Sequence, residues 1–304
     1  MLLHSSDSNM KKLRAYLLYI ICIGWGWSCT RRPASSDNNK EHSRQTITVS
    51  IEPLRYLTEQ ISGDVFQVVT FVPKGSNPET YEPTPEQMAK LGNSVMYFGI
   101  GDLGFERTWL DRLVQTAPEV TFIDVTEKIH RMQGHLHDSN SSHQHGTDPH
   151  VWTSPANMQL IAQHICTALS KADTTHAESF RENLRKVQND IQSVDDSIQH
   201  LLAGTSIRTF LIYHPTLTYY ARDYGLEQLA IENDGKEPSP RHLTDLINQC
   251  KEKQVKTVFV QQEFDRKNAE LIAKETGTDI TYINPLAYDW KQEMLKIAQT
   301  LHEQ

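Results

Sequence analysis

Short runs of β-branched residues alternate with helical patterns along the chain from Thr46 onward. This alternation is typical of α/β proteins, because a parallel strand needs a crossover helix to return to the same edge of the sheet. We therefore expect an α/β fold with two lobes, each with a mainly parallel four-stranded sheet flanked by helices. The predicted strands are Ile47–Ile51, Val65–Val72, Val95–Gly99, Val120–Val125, Thr209–Tyr213, Gln228–Ile231, Thr257–Gln261 and Ile280–Ile283.

A different pattern separates the two halves, over residues 174–203. Its apolar residues recur three and four positions apart, which predicts one long helix with an apolar stripe. At 1.5 Å per residue such a helix spans about 45 Å, enough to run along both lobes. The alternative is a dimeric coiled coil. The stripe consists of Ala177, Phe180, Leu184, Val187, Ile191, Val194, Ile198 and Leu201. This divides the folded part into an N-terminal lobe (46–173), the linking helix and a C-terminal lobe (204–304).

Two helix starts are encoded by capping residues. Thr84 precedes Pro85, and Gln87 completes a capping box, so a helix is predicted to begin here. Ser239 before Pro240 predicts a second start of the same kind.

The composition excludes some function classes. With 304 residues and 38% hydrophobic residues, the chain has enough apolar material for a packed core. The net charge of −8 argues against nucleic acid as a partner, because phosphate binding needs a basic face. Fourteen histidines in an acidic chain are unusual.

The N-terminus is typical of an exported protein. Lys11, Lys12 and Arg14 precede a short apolar run at 15–23, which predicts a signal peptide over residues 1–29, because spanning a bilayer takes about 20 apolar residues. Ser28-Cys29 resembles a bacterial lipobox, in which Cys29 would carry the lipid anchor. Plain secretion is the alternative. Residues 30–45 are predicted to form a flexible tether.

Cys166 and Cys250 are the two cysteines downstream of that segment. Each lies in a helical pattern, where a buried free thiol is the expected state, so no disulfide is predicted.

A histidine-rich loop is predicted at 130–147. It lacks a hydrophobic period, and its imidazoles favour the capture of borderline cations such as Zn²⁺ over Mg²⁺ or Ca²⁺. A polar insert without function is the alternative for each of these histidines taken singly. They are His130, His135, His137, His143 and His145. His150 differs from them, because Pro149 stiffens the backbone before it and would present its imidazole in a fixed direction.

Several motifs together resemble one family, the metal-binding lipoproteins and periplasmic proteins that supply zinc or manganese ABC importers, the high-affinity zinc-uptake type in particular. The resemblance covers essentially the whole mature chain and rests on the segments 73–85, 148–152, 213–226, 237–240 and 284–286. It implies two α/β lobes joined by a long rigid helix, with one metal ion held between them.

The resemblance implies metal ligands at His150 and His214. Glu79 stands where the family usually has a histidine, and its carboxylate can bind the same metals. Asn284 stands where the family usually has an aspartate, so the fourth ligand is open. Glu263, where the family often has glutamine, could supply the missing charge, and Asp289 is a weaker candidate.

The positions of these residues agree with a shared site. In open α/β sheets, ligands bind beyond the carboxyl ends of strands. Each candidate follows a predicted strand, but each also has an ordinary structural interpretation, such as a turn carboxylate, a core histidine or a helix-start charge. The candidates are Glu79, His150, His214, Glu263 and Asn284.

The expected function is capture of Zn²⁺ outside the inner membrane and its delivery to an ABC permease, by a monomeric, membrane-anchored lipoprotein that is not an enzyme. Mn²⁺, or Fe²⁺, is the alternative cargo. A zinc hydrolase is a second alternative, which the absence of His-Glu-x-x-His and Gly-x-Ser-x-Gly motifs disfavours. A surface adhesin is a third, and it would need a large exposed apolar patch.

Overall fold

The computed structural model describes residues 44–133, 146–232 and 236–304. Several predictions therefore lie outside the described residues: the signal peptide, Cys29, the tether up to residue 43, and His135, His137, His143 and His145. None of the described helices has the length and apolar character needed to cross a bilayer.

The first lobe contains a parallel four-stranded sheet in the order β2-β1-β3-β4. Each predicted strand is present, with ends that differ from the prediction by at most two residues. The elements are β1 (Thr46–Val49), α1 (Glu52–Ser62), β2 (Gln67–Thr70), α2 (Pro85–Leu91), β3 (Ser94–Gly99), α3 (Gly104–Thr116), β4 (Thr121–Asp124) and α4 (Pro155–Ala172). The predicted capping box holds the start of α2, where the Gln87 amide donates to the Thr84 hydroxyl.

A single long helix, α5 (Ala177–Ala203), leads to the second lobe. It begins three residues later than predicted, because the Asp173 carboxylate accepts hydrogen bonds from the amides of Thr175 and His176 and holds 174–176 in a turn. Its 27 residues span about 40 Å. At its C-terminal end the stripe continues through Leu202, which is fully buried, whereas Leu201 is only partly buried.

The second lobe repeats the architecture of the first, with a parallel sheet in the order β6-β5-β7-β8. Ser239 caps α7 as predicted, since its hydroxyl accepts from the His242 amide. The elements are β5 (Thr209–Ile212), α6 (Thr218–Tyr224), β6 (Glu227–Ala230), α7 (Pro240–Glu252), β7 (Thr257–Gln261), α8 (Lys267–Thr276), β8 (Asp279–Ile283) and α9 (Trp290–His302). The prediction of two α/β lobes with four-stranded parallel sheets is confirmed.

The apolar stripe of α5 packs against both lobes of its own chain. The helix contacts α1 and α4 of the first lobe and α9 of the second. Phe180, Ile191 and Ile198 are completely buried in one core that includes residues from both lobes. The stripe is thus covered within the chain, which disfavours the coiled-coil alternative. Cys166 and Cys250 are both buried and free, as predicted.

Two tryptophans tie the lobes together close to their cleft. The Trp152 indole N–H donates to the Pro285 carbonyl at 2.9 Å, and the Trp290 indole N–H donates to the Trp152 carbonyl at 2.8 Å. Both side chains are buried. Because buried indole N–H groups are costly to leave without a partner, these reciprocal bonds fix the lobes relative to each other at this point.

We expect Ile191→Ala to lower the free energy of unfolding by about 2–5 kcal/mol, because it leaves a cavity in the core shared by the lobes. Asn189→Ala, on the exposed side of the same helix, is the matched control and should change it by less than about 0.5 kcal/mol. Urea unfolding of both variants measures the difference. Equal stability of the two would contradict the assignment of α5 to the core.

Candidate metal site

A small cavity of about 20 Å³ lies between the lobes, beyond the carboxyl ends of the strands. The first lobe contributes Glu79 and His150 to its wall, and the second contributes His214 and Glu263. The strand order changes direction between β1 and β3 in the first sheet and between β5 and β7 in the second. Open α/β sheets bind ligands at such switch points. The topology therefore brings four of the predicted site residues to one cavity.

His150 is held rigidly by the residue two positions before it. Asp148 accepts a hydrogen bond from the His150 amide at 2.8 Å and contacts the imidazole Nδ1 at 2.9 Å. Both residues are buried. Burial by itself would lower the pKa of His150, but the carboxylates of Asp148, Glu79 and Glu232 together outweigh it and raise that pKa. With Nδ1 occupied by Asp148, Nε2 is the nitrogen left for a metal ion.

His214, two residues after β5, is supported in the same way by its own lobe. Its Nδ1 lies 3.0 Å from a carboxylate oxygen of Glu232, whose side chain is largely buried. The Gln261 side chain donates to the His214 carbonyl at 2.6 Å, and the Phe264 ring stacks on the imidazole with centroids 5.0 Å apart. The Nε2 atom is buried and has no hydrogen-bond partner. An orphaned acceptor of this kind is costly unless a ligand occupies it.

The two imidazoles meet across the boundary between the lobes. Their ring centroids are 5.1 Å apart and their planes are inclined at 75°. Since each Nδ1 contacts a carboxylate, the two Nε2 atoms are the ones left to donate an electron pair to a metal ion. The rings are close enough to share one ion.

Glu79 reaches the cavity from the loop after β2. One carboxylate oxygen, Oε2, accepts from the Gly104 amide at 3.1 Å and lies 3.6 Å from the Arg107 guanidinium. The other, Oε1, is buried without a hydrogen-bond partner. A buried carboxylate oxygen without a partner is unfavourable, so it is a natural position for a cation.

Glu263 lies on the opposite wall, in the loop after β7. Burial raises the pKa of this carboxyl, while the nearby His214 opposes that rise. A carboxylate that is disfavoured by burial gains most from a metal ion beside it.

The remaining predicted candidates lie elsewhere. The Asn284 side-chain oxygen accepts from the Leu286 amide at 3.1 Å, and the residue lines a neighbouring cavity with Glu52 and Lys74. Asp289 caps the start of α9, where its carboxylate accepts from the Gln292 amide. His130 is exposed and is not among the residues that line the site. The structure thus groups Glu79 and Glu263, but neither Asn284 nor Asp289, with the two histidines.

Within the described ranges, no three His, Cys, Asp or Glu side chains are already gathered tightly enough to hold an ion. The two imidazoles are adjacent, and Glu79 and Glu263 line the same cavity. For either carboxylate to join the imidazoles around one ion, its side chain would have to move.

The sequence did not predict the residues that orient the imidazoles. Asp148 was visible as part of Asp-Pro-His, but its contact with Nδ1 depends on how the backbone turns at Pro149. Glu232 lies two residues after β6 and meets His214 because β5 and β6 are neighbours. Its position at a strand end was the available signal.

Comparison with known proteins gives a family. Residues 47–303 match the family model described as "ZnuA: Zinc-uptake complex component A periplasmic". The chain is 33% identical to ZnuA in a crystal structure, with a TM-score of 0.80, covering 86% of this chain and 98% of that one. A zinc-bound deletion variant of ZnuA matches with 33% identity and a TM-score of 0.79, covering 85% of this chain and 97% of that one.

A third relative is the zinc-binding lipoprotein AdcA of Streptococcus pneumoniae (strain ATCC BAA-255 / R6). It is 26% identical over 288 residues, which cover 91% of this chain and 56% of AdcA. The present chain therefore corresponds to about half of AdcA. Because the family model spans most of this chain, from the first strand to the last helix, the protein belongs to the ZnuA family of periplasmic zinc-uptake components.

Proposed function

We propose that this protein captures Zn²⁺ between its lobes and delivers it to the permease of an ABC importer. The observation that carries this proposal is the pair of imidazoles from opposite lobes, 5.1 Å apart, each with Nδ1 engaged by a carboxylate. Carboxylate–histidine pairs of this kind orient metal ligands and increase their basicity. The family membership supports the same conclusion.

The chemistry of the donors fits zinc. Two imidazole nitrogens and one or two carboxylate oxygens, without thiolate, form a set that Zn²⁺ accepts in tetrahedral geometry. We propose His150, His214, Glu79 and Glu263 as the ligands. In this arrangement the adjacent imidazoles would hold the ion, and Glu79 and Glu263 would complete the shell.

The alternative cargo is Mn²⁺, or Fe²⁺. A site with two carboxylates and two histidines has more oxygen ligands than a site with three histidines and one carboxylate. Oxygen ligands suit Mn²⁺, so this composition favours Mn²⁺ more than a three-histidine site would. The divalent-metal series nevertheless gives Zn²⁺ the higher affinity for a given set of nitrogen and oxygen ligands. Competition between the two metals in solution decides between these cargoes.

The enzyme and adhesin alternatives receive less support. The family is one of transport components, and we propose no catalytic activity for this member. Among the described residues, the exposed large apolar side chains are on separate elements rather than together on one. They are Val69, Val114, Leu160, Leu271 and Tyr282.

We further propose that the mature protein is a monomer held at the membrane by a lipid on Cys29, with residues 30–45 as the tether. The basic and apolar N-terminal pattern supports export, and Ser28-Cys29 supports acylation. The histidine-rich loop at 130–147 is proposed to collect zinc.

We expect isothermal titration of the metal-free protein to show one tight zinc site at the cleft, and His150→Ala combined with His214→Ala to abolish it. The reason is that no carboxylate pair in the wall can replace both nitrogen donors. His200→Ala, on the exposed surface of α5, is the matched control and should bind zinc like the natural protein.

Two further titrations separate cleft binding from loop binding and measure metal selectivity. The same titrations in a background with His135, His137, His143 and His145 changed to Ala separate loop binding from cleft binding. A manganese competition in that background measures selectivity. Full zinc affinity in the His150/His214 double variant would refute the site, and stronger binding of Mn²⁺ than of Zn²⁺ would identify manganese as the cargo.

We expect zinc affinity to fall as the pH drops through the histidine range, near about 6.5, because only neutral imidazoles bind the metal. Since Asp148 raises the pKa of His150, protons compete at that ring from a higher pH than at an ordinary histidine. Asp148→Asn should therefore move the midpoint of the pH profile downward. Zinc titrations from pH 5 to pH 8 test this, and an unchanged midpoint would contradict it.

We expect Cys29→Ser to abolish incorporation of labelled fatty acid in cells and to release the protein from the membrane fraction. Cys22→Ser, within the apolar run, is the matched control and should leave labelling intact. Labelling that persists in Cys29→Ser would show that the anchor lies elsewhere or that export is plain secretion.

A further inference from the structure

Glu106, in the first turn of α3, is a carboxyl group that the proposed metal site does not use. It is 1% exposed, and in the described part of the chain no lysine or arginine forms an ion pair with it. Burial raises the pKa of Glu106 to about 7, against the opposing effect of its hydrogen-bond donors. Exposed acidic residues serve equally well at a helix start, so complete burial needs another explanation.

The donors to Glu106 all come from β3 and the turn that follows it. Oε1 accepts from the Ile100 amide at 3.1 Å and from the Tyr97 hydroxyl at 3.2 Å, and Oε2 accepts from the Leu103 amide at 3.4 Å. The Gly101 amide is also a donor. One carboxylate thus anchors the whole turn at 100–103.

The backbone leaves room for this carboxylate. A Cβ atom at Gly99 would lie 2.7 Å from Glu106 Oε1 and 2.9 Å from a ring carbon of Tyr97. Only glycine at this position lets the carboxylate reach the amides of the turn.

The far end of the same turn holds Glu79. The Gly104 amide donates to Glu79 Oε2 at 3.1 Å, and the Phe105 amide donates to the Pro78 carbonyl at 3.0 Å. A Cβ atom at Gly104 would lie only 2.0 Å from the Glu79 carbonyl oxygen, so the two backbones are in direct contact. The position of Glu79 therefore depends on the position of the turn.

We propose that Glu106 is a positioning residue for metal capture: by anchoring the turn at 100–103 it places Gly104 against Glu79 and aims the Glu79 carboxylate at the cleft. This inference rests on the proposed function, because it takes Glu79 as a ligand. Glu106 does not touch the metal. It acts through four backbone and hydroxyl donors and the contact between Gly104 and Glu79.

The test is a double-mutant cycle on zinc affinity with Glu79→Ala and Glu106→Gln, in the background lacking the loop histidines. Glu106→Gln replaces an acceptor with an amide that faces the Leu103 donor, so the turn must shift. We expect it to weaken zinc binding about 10-fold, as changes in outer-shell partners do. In the Glu79→Ala background, Glu106→Gln should have an effect of less than about 2-fold, because residues that act through a shared partner are not additive.

Two controls separate positioning from a general loss of stability. Leu113→Ala, in the same helix and completely buried, should lower the melting temperature but leave zinc affinity unchanged. Co²⁺ substitution provides a second readout, since a displaced Glu79 alters the visible absorption bands of the bound metal, and Leu113→Ala should not alter them.

A second variant covers the case in which Glu106→Gln fails to fold. Gly104→Ala pushes on the Glu79 backbone directly and should weaken zinc binding in the same non-additive way with Glu79→Ala. Gly204→Ala, where a Cβ meets no atom within 4 Å, is its control.

The outcomes are distinct from those for the proposed function. If the natural protein binds zinc at one cleft site but Glu106→Gln and Glu79→Ala are additive, or Glu79→Ala has no effect, the positioning role is overturned while zinc capture stands. If the natural protein does not bind zinc in the cleft, the proposed function itself fails.

Discussion

Two buried carboxylate side chains that hold two imidazoles are the interaction on which the proposed metal site of this protein depends. Asp148 and Glu232 each engage the Nδ1 atom of one histidine, and the two histidines belong to different lobes. This arrangement leaves the Nε2 atoms as donors to the cleft. Neither lobe contains both donors, so the site exists only where the lobes are joined, and a bound ion would strengthen that junction.

The frame around the site is rigid. The long helix α5 packs against helices of both lobes, and Trp152 and Trp290 bond the lobes together beside the cleft. Large opening of such a frame would break buried hydrogen bonds and expose the shared core. The movement needed to complete a metal shell is therefore expected in carboxylate side chains and their loops, rather than in whole lobes.

Buried and partly buried carboxylates recur in three roles around this cleft. Asp148 and Glu232 orient ligands, Glu79 and Glu263 face the cavity as proposed ligands, and Glu106 anchors a turn. Each is costly to bury as an anion, and each is compensated differently: by an imidazole, by a cation in the proposed complex, or by backbone amides. The turn that Glu106 anchors leads to Gly104, which contacts Glu79, one of the proposed ligands.

The sequence alone determined the architecture. Alternating strand and helix patterns, the stripe of α5 and the caps at Thr84 and Ser239 are local signals, since each depends on residues a few positions apart. The approximate location of the site could also be predicted, because parallel strands place the residues that follow them at the same edge of a sheet. Only the tertiary structure decided which of these residues meet. Asn284 turns toward its own backbone, Glu232 reaches His214 from a neighbouring strand, and Glu106 reaches Glu79 through a turn. Such contacts depend on side-chain direction and on strand order, which no local pattern in the chain encodes.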